Sequence, residues 1–136
     1  MNILFICMHN RYRSKTAEAI FLKLNKNKNI KVRSAGAHLE LFRRYVSENV
    51  KNVLKEKGYR VKSNWSHSAT EKLKDWADKI VIVADDVNQN EFPKSKREVW
   101  KIKDCHQWDV PAIEKGVSKI EGRVKRLVWK LRKVEN

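Results

Sequence analysis

Residues 2–19 read Asn2-Ile3-Leu4-Phe5-Ile6-Cys7-Met8-His9-Asn10-Arg11-Tyr12-Arg13-Ser14-Lys15-Thr16-Ala17-Glu18-Ala19, and two changes of character inside this stretch decide the fold. Ile3 to Ile6 is a short unbroken apolar run, as expected of a strand covered on both faces of a parallel sheet. Cys7 to Ser14 replaces it with polar and cationic residues. From Lys15 the spacing of Ala17, Ile20, Phe21 and Leu24 then gives one apolar helical face. Strand, polar loop and helix are the opening of a βα unit, and the strand that begins it should be the central one.

The same alternation continues downstream. Ile30 to Arg33 reads as a second strand, closed by Ser34-Ala35-Gly36. Phe42 to Glu56 reads as a helix with Val46, Val50, Val53 and Leu54 inward and Gly58 just past its end. Ala69 to Trp76 gives a short helix, Lys79 to Ala84 the most strand-like run, and Val99 to Ile102 a shorter strand. Val117, Ile120, Val124, Leu127, Val128 and Leu131 share one face of a C-terminal helix, and Lys119, Arg123, Lys125, Arg126, Lys130 and Arg132 take the other. This pattern predicts an α/β fold: a single domain over residues 1–136, with a four-stranded parallel sheet and helices on both faces.

Composition sets the class. The 136 residues hold 31 Lys or Arg against 16 Asp or Glu, a net charge of +15, yet 41% are hydrophobic, enough for a packed core. Cys7 and Cys105 lie far apart, which excludes a disulfide-dense scaffold and a Cys-based zinc finger; they read as free thiols in a reducing, cytoplasmic setting. The N-terminal apolar run is too short for a signal peptide, and no run approaches the ~18 residues of a spanning helix, so no membrane insertion is expected. The positive excess favours anionic partners: phosphorylated protein, nucleic acid, another acidic partner or an acidic membrane surface.

The chemistry lies in Cys7 to Ser14. A loop that opens a helix at the carboxyl end of a central strand points backbone N–H groups and the positive end of the helix dipole at an anion. A cysteine at the bottom of such a nest is favoured as the thiolate. Arg13 can fold over the loop and grip two phosphate oxygens through its planar fork. Ser14 can donate its hydroxyl to the sulfur.

Cys7-x-x-Asn10-x-x-Arg13-Ser14 after the Asn2 to Ile6 strand, followed by Lys15-Thr16-Ala17-Glu18-Ala19, resembles the low-molecular-weight protein tyrosine phosphatase family. Ser34-Ala35-Gly36, Ser66-His67-Ser68-Ala69 and Trp76-Ala77-Asp78-Lys79-Ile80 are similar to further landmarks of that family, in order. The resemblance implies hydrolysis of a phosphate monoester, protein phosphotyrosine above all, by a cysteine-dependent enzyme without metal or organic cofactor. Cys7 would attack phosphorus to form a cysteinyl-phosphate. The segment Met8, His9, Asn10, Arg11, Tyr12, Arg13 and Ser14 would bind the phosphate, with Asn10 bracing the loop in a strained conformation. An aspartic acid would protonate the leaving group and then activate water.

The family places that acid in an Asp-Pro between the last strand and the last helix, where this chain offers Asp104-Cys105 and Asp109-Val110-Pro111. Trp100 to Asp104 has the register of a strand emptying into an acid, so Asp104 is the choice. Asp109 is the alternative, with a structural reading as a helix start. His106 and Trp108 fall where the family flanks a phosphotyrosine ring, and plain packing accounts for Trp108 equally well.

The chain also departs from the family. His9 stands where Gly is common, and Tyr12 where many members carry a second, protective cysteine. Cys105 can take that redox role, or simply be a small residue replacing Pro. Arg11 and Tyr12 are expected on the outer rim of the loop, the tryptophans other than Trp108 in the core, and His38 and His67 in structural or exposed positions. Two other functions compete: a non-catalytic module of this fold binding phosphate or nucleic acid, and arsenate reduction, for which the usual three-cysteine relay would be incomplete.

Overall fold

Asn2–Cys7 forms β1, whose burial is continuous from Ile3 onward. The computed structural model describes residues 1–135, and side chains as far as Lys133; Asn136, the last residue of the expected domain, lies outside the described residues. After β1 come α1 (Arg13–Leu24), β2 (Lys31–Gly36), α2 (Glu48–Glu56), α3 (Glu71–Trp76), β3 (Lys79–Val83), β4 (Arg97–Trp100) and α4 (Val110–Glu135). The four strands are parallel and lie in the order β2-β1-β3-β4. β1 is therefore interior, as its unbroken apolar run requires. The chain leaves β1 to one side for β2 and crosses to the other side for β3. That reversal makes the carboxyl end of β1 a topological switch point, where a crevice opens in sheets of this kind.

The alternating side chains of β1 serve two cores. Ile3 and Phe5 join Val81, Val83 and Trp100 under α1, α2 and α4; Leu4 and Ile6 join Ile80 and Ile82 on the opposite face, near Leu73 and Trp76 of α3. Phe5 sits 6.1 Å from Phe21 and 5.9 Å from Trp100, centroid to centroid. Burying such a ring contributes roughly 1.5–3 kcal/mol.

Local chemistry sets the ends of the elements. α2 closes with Tyr59 N–H donating to Leu54 O at 2.9 Å and Gly58 N–H to Lys55 O at 3.0 Å. That pattern puts Gly58 at φ +88°, a conformation glycine takes without strain. α3 starts at Glu71 because Thr70 accepts the Leu73 N–H through its side chain. Three expected boundaries are corrected. Helix was expected from Phe42, but 42–47 is loop: Phe42 is 88% exposed and α2 begins only after Ser47. The last strand is Arg97–Trp100 rather than Val99 to Ile102, because Ile80 registers against Arg97 and Val83 against Trp100. Ser34 to Gly36 lies inside β2, paired with Phe5 to Cys7, rather than closing it.

Candidate active site

β1 ends at Cys7 and α1 begins at Arg13, so Met8 to Tyr12 must reverse direction within one short loop. Asn10 makes the turn at φ +57°, a left-handed conformation that costs most residues ~1–2 kcal/mol and asparagine less. Its side chain is fixed on both ends. Oδ1 accepts from His67 N–H at 2.9 Å, and Nδ2 donates to Ser14 Oγ at 2.7 Å and Ser34 Oγ at 3.1 Å. Behind the loop, a Cβ on Gly36 would stand 2.8 Å from the His9 carbonyl carbon and 2.9 Å from Asn10 N. The close approach of β2 thus requires glycine there. Among the described residues, no backbone N–H from Met8 to Tyr12 donates to another protein atom. These unpaired donors, together with the first turn of α1, form a nest for an anion.

Cys7 is buried at the base, its Sγ 2.9 Å from Ser14 Oγ. Because Ser14 Oγ already accepts from Asn10, its own proton is free to point at the sulfur. Ser34 in turn donates to Glu18 Oε1 at 2.8 Å. Burial pushes the Glu18 carboxyl up, against Ser34 and Lys15. Burial likewise pulls the Lys15 ammonium down despite Glu18 and Cys7, and Lys15 donates to Ser63 O at 2.9 Å.

Arg13 is 2% exposed and closes one side of the nest. Nη1 donates to Ile102 O at 2.9 Å, while Asp86 takes Nη1 at 3.0 Å and Nη2 at 3.3 Å. Asp85 and Asp104 stand further off, 3.8 Å from Nη1 and 4.0 Å from Nε. Burial works against the Arg13 charge, but Cys7, Asp86 and Asp104 outweigh it and hold the guanidinium protonated. Asp85 and Asp86 escaped the sequence reading. Their signal was their place, directly after the strand beside β1 at the switch point.

A cleft of about 530 Å³ brings together Cys7, His9, Arg11, Tyr12, Arg13, Asp104, His106 and Trp108, with Glu40, Arg43, Cys105 and Gln107 completing its wall. Met8, Asn10 and Ser14 are not among these lining residues; Asn10 and Ser14 are buried behind the loop. Asp109 is elsewhere: its Oδ1 accepts the Ala112 N–H at 3.2 Å, capping α4. His106 and Trp108 stack with centroids 5.2 Å apart and planes 9° from parallel, and Trp108 is 74% exposed at the mouth. His9 Nδ1 lies 2.6 Å from His38 O; a carbonyl only accepts, so that nitrogen carries the proton.

Some placements differ from expectation. Tyr12 is not on the rim: it is 3% exposed, with its hydroxyl reaching α4 and donating to Ile113 O at 3.4 Å. Gly116 admits it, since a Cβ there would fall 1.8 Å from the Tyr12 oxygen. Burial, first of all, pushes the Tyr12 hydroxyl and the Cys105 thiol up. Arg11 is also nearly buried; its Nε donates to Tyr45 O at 2.9 Å and its guanidinium lies over the Tyr45 ring. Trp65 and Trp129 are exposed rather than in the core, Trp129 beneath Lys133. Among the described residues no group of three or more His, Cys, Asp or Glu is placed to hold a metal ion, and no helix is long and apolar enough to cross a membrane.

The sequence profile described as "Low molecular weight phosphotyrosine protein phosphatase" matches residues 2–136. Among solved structures, the chain is similar to an arsenate reductase from Archaeoglobus fulgidus, 32% identical, covering 93% of this chain and 98% of that one, with a TM-score of 0.78. It is similar in fold to the YwlE arginine phosphatase from Geobacillus stearothermophilus, at 24% identity, 98% and 94% coverage and a TM-score of 0.85. A low molecular weight protein tyrosine phosphatase from T. tengcongensis shares the fold at 22% identity, 96% and 99% coverage and a TM-score of 0.83. No curated protein matches the chain by sequence.

Proposed function

The chain belongs to the low molecular weight phosphotyrosine protein phosphatase family, and from that premise we propose that it hydrolyses phosphate monoesters, protein phosphotyrosine first among them, through a cysteinyl-phosphate. The observation that carries this reading is the convergence of Cys7, Arg13 and Asp104 on one cleft beneath a loop of unpaired backbone donors. The phosphoryl group seats on the N–H groups of the loop, with Arg13, oriented by Asp86 and Ile102 O, beside its oxygens.

Cys7 Sγ attacks phosphorus, the bond from phosphorus to the ester oxygen breaks, and protonated Asp104 gives its proton to the departing oxygen. Asp104, now a carboxylate, takes a proton from water as the water oxygen attacks phosphorus. The sulfur–phosphorus bond breaks and inorganic phosphate leaves. Ser14 stabilises the thiolate both before attack and as it departs. The stacked His106 and Trp108 offer a flat wall for a phenyl ring.

A second reading, arsenate reduction, has a specific support in the 32% identity to the Archaeoglobus protein and in Cys105 lining the same cleft as Cys7. The test is a substrate panel on the purified chain: phosphotyrosyl peptide, phosphoarginyl peptide, and arsenate with an added thiol. Turnover greatest on phosphotyrosine supports the proposal. Thiol-dependent arsenite production without phosphate release overturns it in favour of the reductase.

A further inference from the structure

The cations around the cleft are matched by acids: Glu40 serves Arg11 and Arg43, and Asp85, Asp86 and Asp104 surround Arg13. The excess of +15 therefore resides elsewhere. Part of it lines a groove of about 490 Å³ between α4 and the segment leaving β4, formed by Lys101, Ile102, Lys119, Gly122, Arg123 and Arg126. All four cations are exposed, and no acid lines the groove. Among the described residues none of the four has an ion-pair or hydrogen-bond partner, unlike Lys57, Lys74 or Lys79 on the same molecule. Gly122 leaves the floor open, with nothing within 4 Å of where a Cβ would stand.

Four like charges around one groove repel each other unless an anion enters. Their arrangement specifies which anion. At 1.5 Å rise per residue, Lys119, Arg123 and Arg126 are spaced ~6 and ~4.5 Å apart along one side of α4. Such a row does not converge on a point, which argues against a single phosphate. Ile102 is the one apolar lining residue and is itself 5% exposed, so a peptide side chain finds no socket. No aromatic residue lines the groove to stack a base.

We propose that this groove binds the phosphodiester backbone of a nucleic acid, without reading its sequence. The row of cations replaces counterions along the strand, and the guanidinium forks of Arg123 and Arg126 suit phosphate oxygens.

Fluorescence anisotropy of the full chain with labelled mixed-sequence single-stranded and duplex oligonucleotides, over a salt series, tests this. The variant is Lys101→Gln/Lys119→Gln/Arg123→Gln/Arg126→Gln, and the charge-matched control is Lys23→Gln/Lys26→Gln/Lys28→Gln/Lys31→Gln. Each phosphate contact contributes ~0.9 to the log–log salt slope on duplex and ~0.7 on single strands. The groove variant should lose at least about 30-fold in affinity at low salt and, with all four contacts removed, about 3.6 in duplex slope, with the control within about threefold of wild type. Both variants should keep the wild-type melting curve and aryl phosphate turnover, so the outcome stands apart from that of the phosphatase reading. Absent wild-type binding at low salt, or equal losses in groove variant and control, overturns the proposal. So does a groove-dependent affinity for polyglutamate above that for an oligonucleotide of equal charge, which would assign the groove to an acidic protein.

Discussion

Asn10 and Gly36 set the loop conformation between them, one by accepting φ +57° and the other by having no Cβ where β2 passes behind. Gly36→Ala should cost ~1–3 kcal/mol, since the atoms it meets are backbone and cannot rotate away. Aryl phosphate turnover should fall with it. Urea midpoints and initial rates measured together check both effects. The two candidate acids separate at the same scale. Asp104→Asn should lower kcat by about 10²–10⁴-fold while leaving stability nearly unchanged. Asp109→Asn should leave kcat within about threefold, because asparagine caps a helix as well as aspartate does. The reverse pattern in the two rate measurements would move the general acid to Asp109.

At the scale of elements, α1 carries a buried pair of opposite sign, Lys15 and Glu18, and burial outweighs their mutual attraction at both ends. The two make no direct salt bridge: Lys15 donates to Ser63 O and Glu18 accepts from Ser34. Removing one alone, by Lys15→Met or Glu18→Gln, still leaves the other buried without its counter-charge and should destabilise, whereas the double variant should be less costly than the sum of the two. A double-mutant cycle in urea reads the difference, and additive losses would contradict this account of the pair. Elements whose apolar pattern coincides with burial on both faces were legible from the letters: β1, β3 and the inward row of α4. Phe42 misled because an apolar side chain at helical spacing looks inward until the structure exposes it, leaving Ser47 to start α2. The slip of β4 has a similar cause. Ile102 is as buried as a strand residue, but lies past the last pairing with β3.

On the scale of the whole molecule, the cysteine and the loop that line the cleft were legible because they are contiguous in sequence. Asp85 and Asp86 were not, since only the strand order brings the end of β3 beside β1. Tyr12 was misplaced for the same reason: its partner Gly116 is remote in sequence. Acid response is also a property of the assembled fold. Trp100 and Lys79 hold Glu98 below the usual carboxylate range, and Tyr59 and Lys57 do so for Glu121, in each case against burial. A carboxylate with a depressed native pKa contributes stability that is complete above its unfolded value of ~4.3 and is lost as pH falls through the native one. The variant Glu98→Gln/Glu121→Gln should therefore be less stable than wild type near neutrality. The gap should narrow below about pH 4. Urea midpoints across that range check the sign, and a gap that widens on acidification would reverse it.

The proposed chemistry rests on Cys7 attacking phosphorus with Asp104 supplying the proton. Its most direct test is hydrolysis of an aryl phosphate in EDTA from roughly pH 4 to 8, comparing wild type with Cys7→Ser. Wild type should turn over with EDTA present, and Cys7→Ser should show no turnover above background. Turnover that persists in Cys7→Ser, or that EDTA abolishes in wild type, would contradict it.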